Sequence, residues 1–132
     1  VQQMLYVCDA LGASVRSVQL RNDIVQTLLG QGMWDFGDAD GPRELARLQN
    51  PQALALSPDS PVLWIADTGN GCLRSLRLGG GELSTVSLPR KLHGPAGLAI
   101  SAGALWIAET DAHAVLRFDI ASGALDTVAI DA

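Results

Sequence analysis

One short apolar phrase, written three times, constrains this chain more than any other feature. It reads Leu63-Trp64-Ile65-Ala66-Asp67-Thr68, returns as Leu105-Trp106-Ile107-Ala108-Glu109-Thr110, and has a fainter form in Leu5-Tyr6-Val7-Cys8-Asp9-Ala10. Each copy places an aromatic second, a small residue fourth and an acid fifth. The residues downstream of each copy repeat as well. Val15, Leu73 and Val115 stand at one common offset from the opening Leu, and Val18, Leu76 and Phe118 at another. Leu20, Leu78 and Ile120, then Val25, Leu83 and Leu125, continue the series. Self-similarity on a period of about forty residues marks a supersecondary unit copied and stacked.

The units read as strands. The apolar run 5–8, the alternating stretch 15–20 and the stretch 24–29 read as strands separated by turns at Leu11 to Ser14 and Arg21 to Asp23. The later copies add an element in front, Pro51-Gln52-Ala53-Leu54-Ala55-Leu56 and Pro95-Ala96-Gly97-Leu98-Ala99-Ile100. Proline can open a strand but not sit inside a central one, so each proline marks an entry. Strands are therefore expected over 51–56, 62–66, 73–78 and 83–88, then over 95–100, 104–108, 115–120 and 125–130. Small residues at Ala53, Ala55, Gly97 and Ala99 place the first strand of each unit where space is tight, at the axis of a ring of sheets.

Four-stranded antiparallel sheets on this period are β-propeller blades. The fold class is all-β, with about three blades of a six-bladed ring in one partial propeller spanning 1–132. Blade 1 covers about 1–29, an inter-blade loop 30–50, blade 2 about 51–88 and blade 3 about 95–132. The first blade lacks its innermost strand. Rings usually need four to eight blades. The expected partners are therefore a second copy of the chain, as a homo-oligomer, or missing blades from the same longer protein. Trp64 and Trp106 are expected to be wedged between neighbouring blades.

Composition narrows the function. The chain has 132 residues, 48% hydrophobic and 17% charged, which describes a globular domain able to bury a core. A net charge of −5 argues against a phosphate-binding surface, so no nucleic acid partner is expected. No apolar run reaches membrane-spanning length and no signal-peptide pattern opens the sequence. A cytoplasmic location without membrane contact is the expectation. The sequence opens on Val1, and a piece of something longer is expected.

Candidate site residues fall in two groups. Between Gly30 and Asn50 lie the aromatics Trp34 and Phe36 and the acids Asp38 and Asp40. Asp38-x-Asp40-Gly41 invites comparison with a calcium loop, but Phe36 stands where the first ligand belongs and Arg47 where the bidentate Glu belongs. No Gly-Lys-Ser/Thr is present downstream to make a phosphate loop. The alternatives are a ligand-binding loop, or acids capping turns with the two aromatics packed onto the sheet. Pro42 to Leu48 has room for a helical turn or two, with Leu45 and Leu48 on one side. The second group recurs with the repeat. Asp9, Asp67 and Glu109 share one rim, either as a ring of carboxylates for a metal ion or as acceptors for backbone N–H groups in the adjoining turn. A residue copied in every unit suits the structural role better. Arg16 and Arg74 share an offset and Arg117 lies one place on, either facing an acidic partner or forming the solvated side of each sheet. Cys8 and Cys72 occupy non-equivalent small-residue slots and read as free thiols. His93 and His113 have no ligand-spaced partner.

Residues 95–100 with Leu105 to Thr110, and likewise Leu63 to Asn70, resemble NHL repeats. The loop Gly30-Gln31-Gly32-Met33-Trp34-Asp35-Phe36-Gly37-Asp38-Ala39-Asp40-Gly41, leading to Ala46-Arg47-Leu48-Gln49-Asn50-Pro51, is similar to the inter-blade loop of NHL propellers found downstream of a thioredoxin-like domain. The resemblance covers nearly the whole chain. It departs in the third copy, where Asp111 and Ala112 replace Gly69 and Asn70, so whatever Asn70 holds must be arranged differently there. It implies a non-catalytic scaffold for a protein or small ligand, as an accessory to a thioredoxin-like protein, with no cofactor. No Cys-x-x-Cys is present, so a redox role would belong elsewhere. The alternative is a metal-assisted lyase or hydrolase of the NHL-like type, although the inner strands offer no His or mixed ligands.

Overall fold

Short alternating runs closed by Gly-, Asn- and Asp-bearing turns satisfy their backbone groups most directly by pairing with the next run along the chain. The computed structural model describes residues 3–129 and realises that pairing in three antiparallel sheets. The first holds β1 (Met4–Asp9), β2 (Ser14–Gln19) and β3 (Ile24–Leu29). The second holds β4 (Pro51–Leu56), β5 (Val62–Asp67), β6 (Cys72–Arg77) and β7 (Leu83–Thr85), and the third β8 (Pro95–Ser101), β9 (Ala104–Glu109), β10 (Ala114–Asp119) and β11 (Leu125–Val128). Each sheet is a meander in sequence order. The eleven strands among the described residues are those expected, with β7 shorter. Residue 130, the last of the expected strand 125–130, lies outside the described residues, as do the outermost positions of the blade limits 1–29 and 95–132.

Strand register explains how the sheets stack. Across β5 and β6, Leu63 faces Leu76 and Ile65 faces Arg74, while Trp64 faces Ser75 and Ala66 faces Leu73. Paired residues share a face, so the middle sheet has two distinct sides. Leu63, Ile65, Leu76 and Leu83 pack on Val15 and Leu29 of the first sheet, with Ala46 and Leu48 of the connector between them. Trp64 and Leu73 turn the other way, onto Leu105, Ile107, Leu116 and Phe118 of the third sheet. Each such side chain taken from water contributes about 1.5–3 kcal/mol, and these two seams are the core. The inner strands lie side by side, β4 against both β1 and β8. The prolines mark strand entries, each beside a shift in register between Pro51 and Ala53 or Pro95 and Gly97.

Two expectations need correction. Trp64 is wedged as expected, edge-on to Phe118 at 6.5 Å, with its indole N–H donated to Ser57 Oγ at 2.9 Å. Trp106 is not. It lies on the outward side of the third sheet, where no described residue supplies a further blade, and the Arg117 guanidinium covers it at 5.9 Å. The connector is the second case. It forms a single turn, closed by Leu45 and Ala46 N–H groups on Pro42 O, both at 2.9 Å, but Leu48 is buried and Leu45 exposed, so the two do not share a side as expected. It gains more by pairing. Gly41 exchanges two 2.9 Å backbone bonds with Leu83, which covers the edge of β7. No helix among the described residues is long and apolar enough to cross a membrane.

Candidate functional site

The repeated acid closes the second strand of each full blade, immediately before a 3-10 turn, Thr68–Asn70 after Asp67 and Thr110–Ala112 after Glu109. A carboxylate there faces the connector arriving from the preceding blade. Asp67 Oδ1 accepts Gln49 N–H at 2.8 Å, and Glu109 Oε2 accepts His93 N–H at 2.8 Å. The turns return the contact, Gly69 N–H donating to Gln49 O at 2.7 Å and Asp111 N–H to His93 O at 3.2 Å. The acids thus bond backbone N–H groups as expected, but in the inter-blade connector and not in the adjoining turn. Only Asp9 keeps to the local pattern, accepting Gly12 N–H at 3.1 Å. Thr68 donates its hydroxyl to Pro95 O at 2.5 Å, tying the second blade to the inner strand of the third.

Each acid also meets a cation. Arg74 and Asp67 are both fully buried and meet at 2.7 Å. The same guanidinium holds Asp40 at 2.6 Å and Asp38 at 3.1 Å, so the acids of the connector lock onto the second blade. Their expected role as turn caps gives way to this ion-pair cluster. Thr85 Oγ1 donates to Asp40 as well, at 2.9 Å. Burial pushes Asp40 up, yet the bonds from Arg74 and Thr85 outweigh it and hold the carboxyl below its ordinary value. At Asp67 burial prevails and raises the carboxyl against the pull of Gln49, Asn70 and Arg74. Asn70 explains the departure in the third copy. Its amide donates to Gly37 O at 2.7 Å and to Asp67 Oδ2 at 2.8 Å, a clasp that Ala112 cannot make.

Blade 3 solves the same problem with another residue. Leu116 stands where Arg74 stands, and Arg90 reaches in from the connector to bond Glu109 in bidentate fashion at 2.6 and 2.9 Å. That bond, helped by His93 N–H, holds Glu109 below its ordinary value despite its burial. Sequence reasoning missed Arg90. The available signal was Leu116: an acid whose own sheet lacks the arginine needs a cation from elsewhere, and Arg90-Lys91 is the nearest basic pair in the connector. In blade 1, Arg16 meets Asp9 at 3.4 Å near the surface.

The structure therefore does not gather Arg16, Arg74 and Arg117 on a common face. Arg74 is buried, Arg16 sits on its acid, and Arg117 lies over Trp106. The reading of Arg74 as part of a solvated side does not hold, because the connector covers it. Asp9, Asp67 and Glu109 each face a guanidinium where a bound cation would have to sit, and no group of three or more His, Cys, Asp or Glu among the described residues is spaced to hold an ion. Cys8 and Cys72 are free thiols. Burial, then the Asp67 charge, pushes Cys72 up to about 11.

Trp34 and Phe36 behave unlike packed loop residues. Trp34 is 87% exposed and Phe36 54% exposed, so the expectation that they pack onto the sheet fails. Phe36 and Met33 line a shallow depression of about 250 Å³ with Leu11 and Gln49. A larger groove of about 460 Å³ opens between blades 2 and 3 at the opposite ends of the strands, over Trp64, Ile100 and Ile120.

No family model matches the sequence. The chain is similar to the curated NHL repeat-containing protein 2 of Homo sapiens, 26% identical over 88% of this chain and 19% of that protein. It spans a tenth to a fifth of the length of the curated relatives it matches. Among solved structures, a protein of unknown function from Bacteroides thetaiotaomicron superposes with a TM-score of 0.72 at 23% identity, over 85% of this chain and 31% of that one. The virginiamycin B lyase of Staphylococcus aureus superposes with a TM-score of 0.57 at 14% identity, over 98% and 53%. Both structural likenesses speak for the fold alone. With the repeated phrase and the antiparallel meanders, they show that the chain is built of β-propeller blades, similar in sequence to those of NHL repeat proteins.

Proposed function

We infer that the chain is a non-catalytic propeller scaffold whose protein-binding surface is the apex of the connector, residues 33–36. The single observation that carries this reading is Trp34, a large aromatic left 87% exposed on an anchored loop. Interfaces draw most of their energy from a few aromatic anchors, and contiguous apolar exposure marks interaction sites. Met33 and Phe36, its near neighbours in the loop, are exposed as well and line one depression with Leu11. The loop is held at its C-terminal foot, Gly37, whose O accepts the Asn70 amide at 2.7 Å and whose N–H donates to Leu48 O at 2.9 Å. Such anchoring lowers the entropy cost of ordering the loop on a partner. The resemblance of residues 30–51 to loops in propellers downstream of thioredoxin-like domains supports an accessory role beside such a domain.

The metal-assisted lyase or hydrolase alternative receives no support from the carboxylates, since guanidinium groups already satisfy them. The test is selection of displayed peptides on the wild-type chain, then binding to Trp34→Ala/Phe36→Ala. Selected peptides are expected to lose at least tenfold in affinity. Equal binding to the double variant, with its fold intact by circular dichroism, sinks the reading.

A further inference from the structure

The seam between blades 2 and 3 closes at one rim and opens at the other. Near the acids, Val86 and Leu92 of the connector pack into it, donating to Leu73 O at 2.9 Å and Gly71 O at 2.8 Å. At the opposite ends of the strands it leaves the groove of about 460 Å³, whose apolar part is lined by Val62, Trp64, Ile100 and Ile120. Walls and floor all come from the facing sides of blades 2 and 3, so a further blade on either outer face leaves the groove in place. One wall is the Ser57-Pro58-Asp59-Ser60-Pro61 turn of blade 2, longer than the Ser101-Ala102-Gly103 turn opposite it and stiffened by two prolines. Val62 N–H donates to Ser60 O at 2.8 Å, Leu78 N–H to Pro61 O at 2.8 Å and Ile120 N–H to Gly103 O at 3.1 Å. Both walls are thus fixed before a ligand arrives, which lowers the cost of binding one.

Size and lining match a small-molecule site. Such pockets run from about 300 to 1,000 Å³, are mostly apolar and carry a few convergent polar groups. Here those groups are the hydroxyls of Ser60, Ser75 and Ser101, and Asp59 is the one charged residue lining the groove among those described. Asp38, Asp40, Asp67 and Glu109 each meet an arginine, whereas Asp59 meets no cation among the described residues. The floor is selective too. Trp64 commits its indole N–H to Ser57 Oγ at 2.9 Å and stands edge-on to Phe118, so its orientation is set and what it offers a ligand is apolar ring. Space between stacked sheets is slot-shaped and suits a planar group, and an aromatic face attracts both rings and cations. Past Ser75 the lining turns polar at Arg77, Glu82 and Ser84, so the apolar part ends after the length of a small ligand. We propose that the groove binds a small aromatic amine, its ring on Trp64, Ile100 and Ile120 and its ammonium at Asp59. An anion would instead meet an unpaired carboxylate in a chain of net charge −5. The site lies at the other ends of the strands from the aromatic loop and does not depend on it.

Titration of the isotope-labelled chain with tryptamine, followed by amide NMR, tests the proposal. Saturable shifts are expected at Asp59, Ser60 and residues 100–103, with a dissociation constant of about 1 mM or tighter for a probe of this size. Indoleacetate keeps the ring and reverses the charge, and is expected to bind several-fold more weakly. Ethanolamine, which lacks the ring, is expected not to bind. Asp59→Asn, in an exposed turn, is expected to erase the preference for tryptamine over indoleacetate while the fold is kept. Ser75→Phe fills the slot and is expected to abolish binding; should it fail to fold, Ser101→Trp blocks the exposed mouth instead. Absence of saturable tryptamine binding overturns the proposal, as does equal binding of indoleacetate or a preference that survives Asp59→Asn. So does a groove that takes selected peptides but no free amine.

Discussion

Arg74 and Asp67 meet at 2.7 Å inside the first seam, neither side chain reaching solvent, across adjacent strands of one sheet. Buried ions are stable only when their remaining bonding groups are satisfied. Here the connector supplies most of what is missing, through Gln49 N–H on the carboxylate and Asp38 and Asp40 on the guanidinium, although Arg74 Nε keeps no partner. The pair therefore fastens the path of the chain between blades as much as it fastens the sheet.

Replacing Arg74 by Leu, the residue that blade 3 carries at Leu116, strands Asp67 as a buried charge. A loss of about 3–5 kcal/mol is expected in urea unfolding. The double variant Arg74→Leu/Asp67→Leu is expected to recover part of it. A single variant as stable as wild type would show that the connector, not the ion pair, holds the seam.

Leu5 and Leu63 are equivalent in the repeat and opposite in burial. Leu63→Ala opens a cavity and is expected to cost about 2–5 kcal/mol, while Leu5→Ala, at a half-exposed position, is expected to cost well under about 1 kcal/mol in the same chain. Comparable losses measured there would contradict the face assignment.

Glu109 gives the fold an acid limb. Its carboxyl is held below the ordinary value of 4.5 by Arg90, so its contribution is complete above that pH and disappears as pH falls through the lower folded value. Asp67, raised by burial, contributes with the opposite sign, fully below 3.8 and less as pH rises through its folded value. Arg90→Ala is expected to lower stability at pH 7 by about 1–2 kcal/mol, discounted because the guanidinium is partly exposed, and to flatten the decline below pH 4.5. Parallel stability–pH curves for variant and wild type would remove Arg90 from this role.

Cys72 is expected to react slowly. With its thiol pushed up from 9.0 to about 11, the thiolate fraction near pH 8 is roughly a hundredfold below that of an unperturbed thiol. Iodoacetamide labelling read by mass spectrometry is expected to modify Cys72 far more slowly in the native chain than after unfolding; equal rates in the two states would contradict the raised thiol.

His113 occupies the left-handed position (φ 51°) that Gly71 (φ 63°) fills in the other 3-10 turn. His113→Gly relieves the side chain's strain but adds backbone entropy to the unfolded state, for a net gain of about 0.5–1 kcal/mol. Thermal unfolding measures it, and a lower melting temperature would mean that the imidazole makes contacts worth more than the strain.

Much of this molecule was legible because its determinants are local. Apolar residues recurring at fixed offsets, Val15 with Leu73, Val18 with Leu76 and Leu20 with Leu78, and prolines at 51 and 95, define strands within a few residues of themselves. The β7 stretch was read too long because the seam and the Gly41 bridge, not propensity, decide where pairing stops. Trp34 and Trp106 were misplaced for a related reason: an indole says that apolar surface exists but not whether a neighbour arrives to cover it.

By itself, then, the sequence determined the number of repeats, the meander within each blade and the positions of the recurring acids, because each rests on period-two patterning and turn chemistry. The tertiary structure alone decided which cation each acid receives. Asp40 reaches Arg74 across 34 residues and Arg90 reaches Glu109 across 19. Such partners are chosen by the route of a connector over a finished sheet, and no local pattern encodes that route.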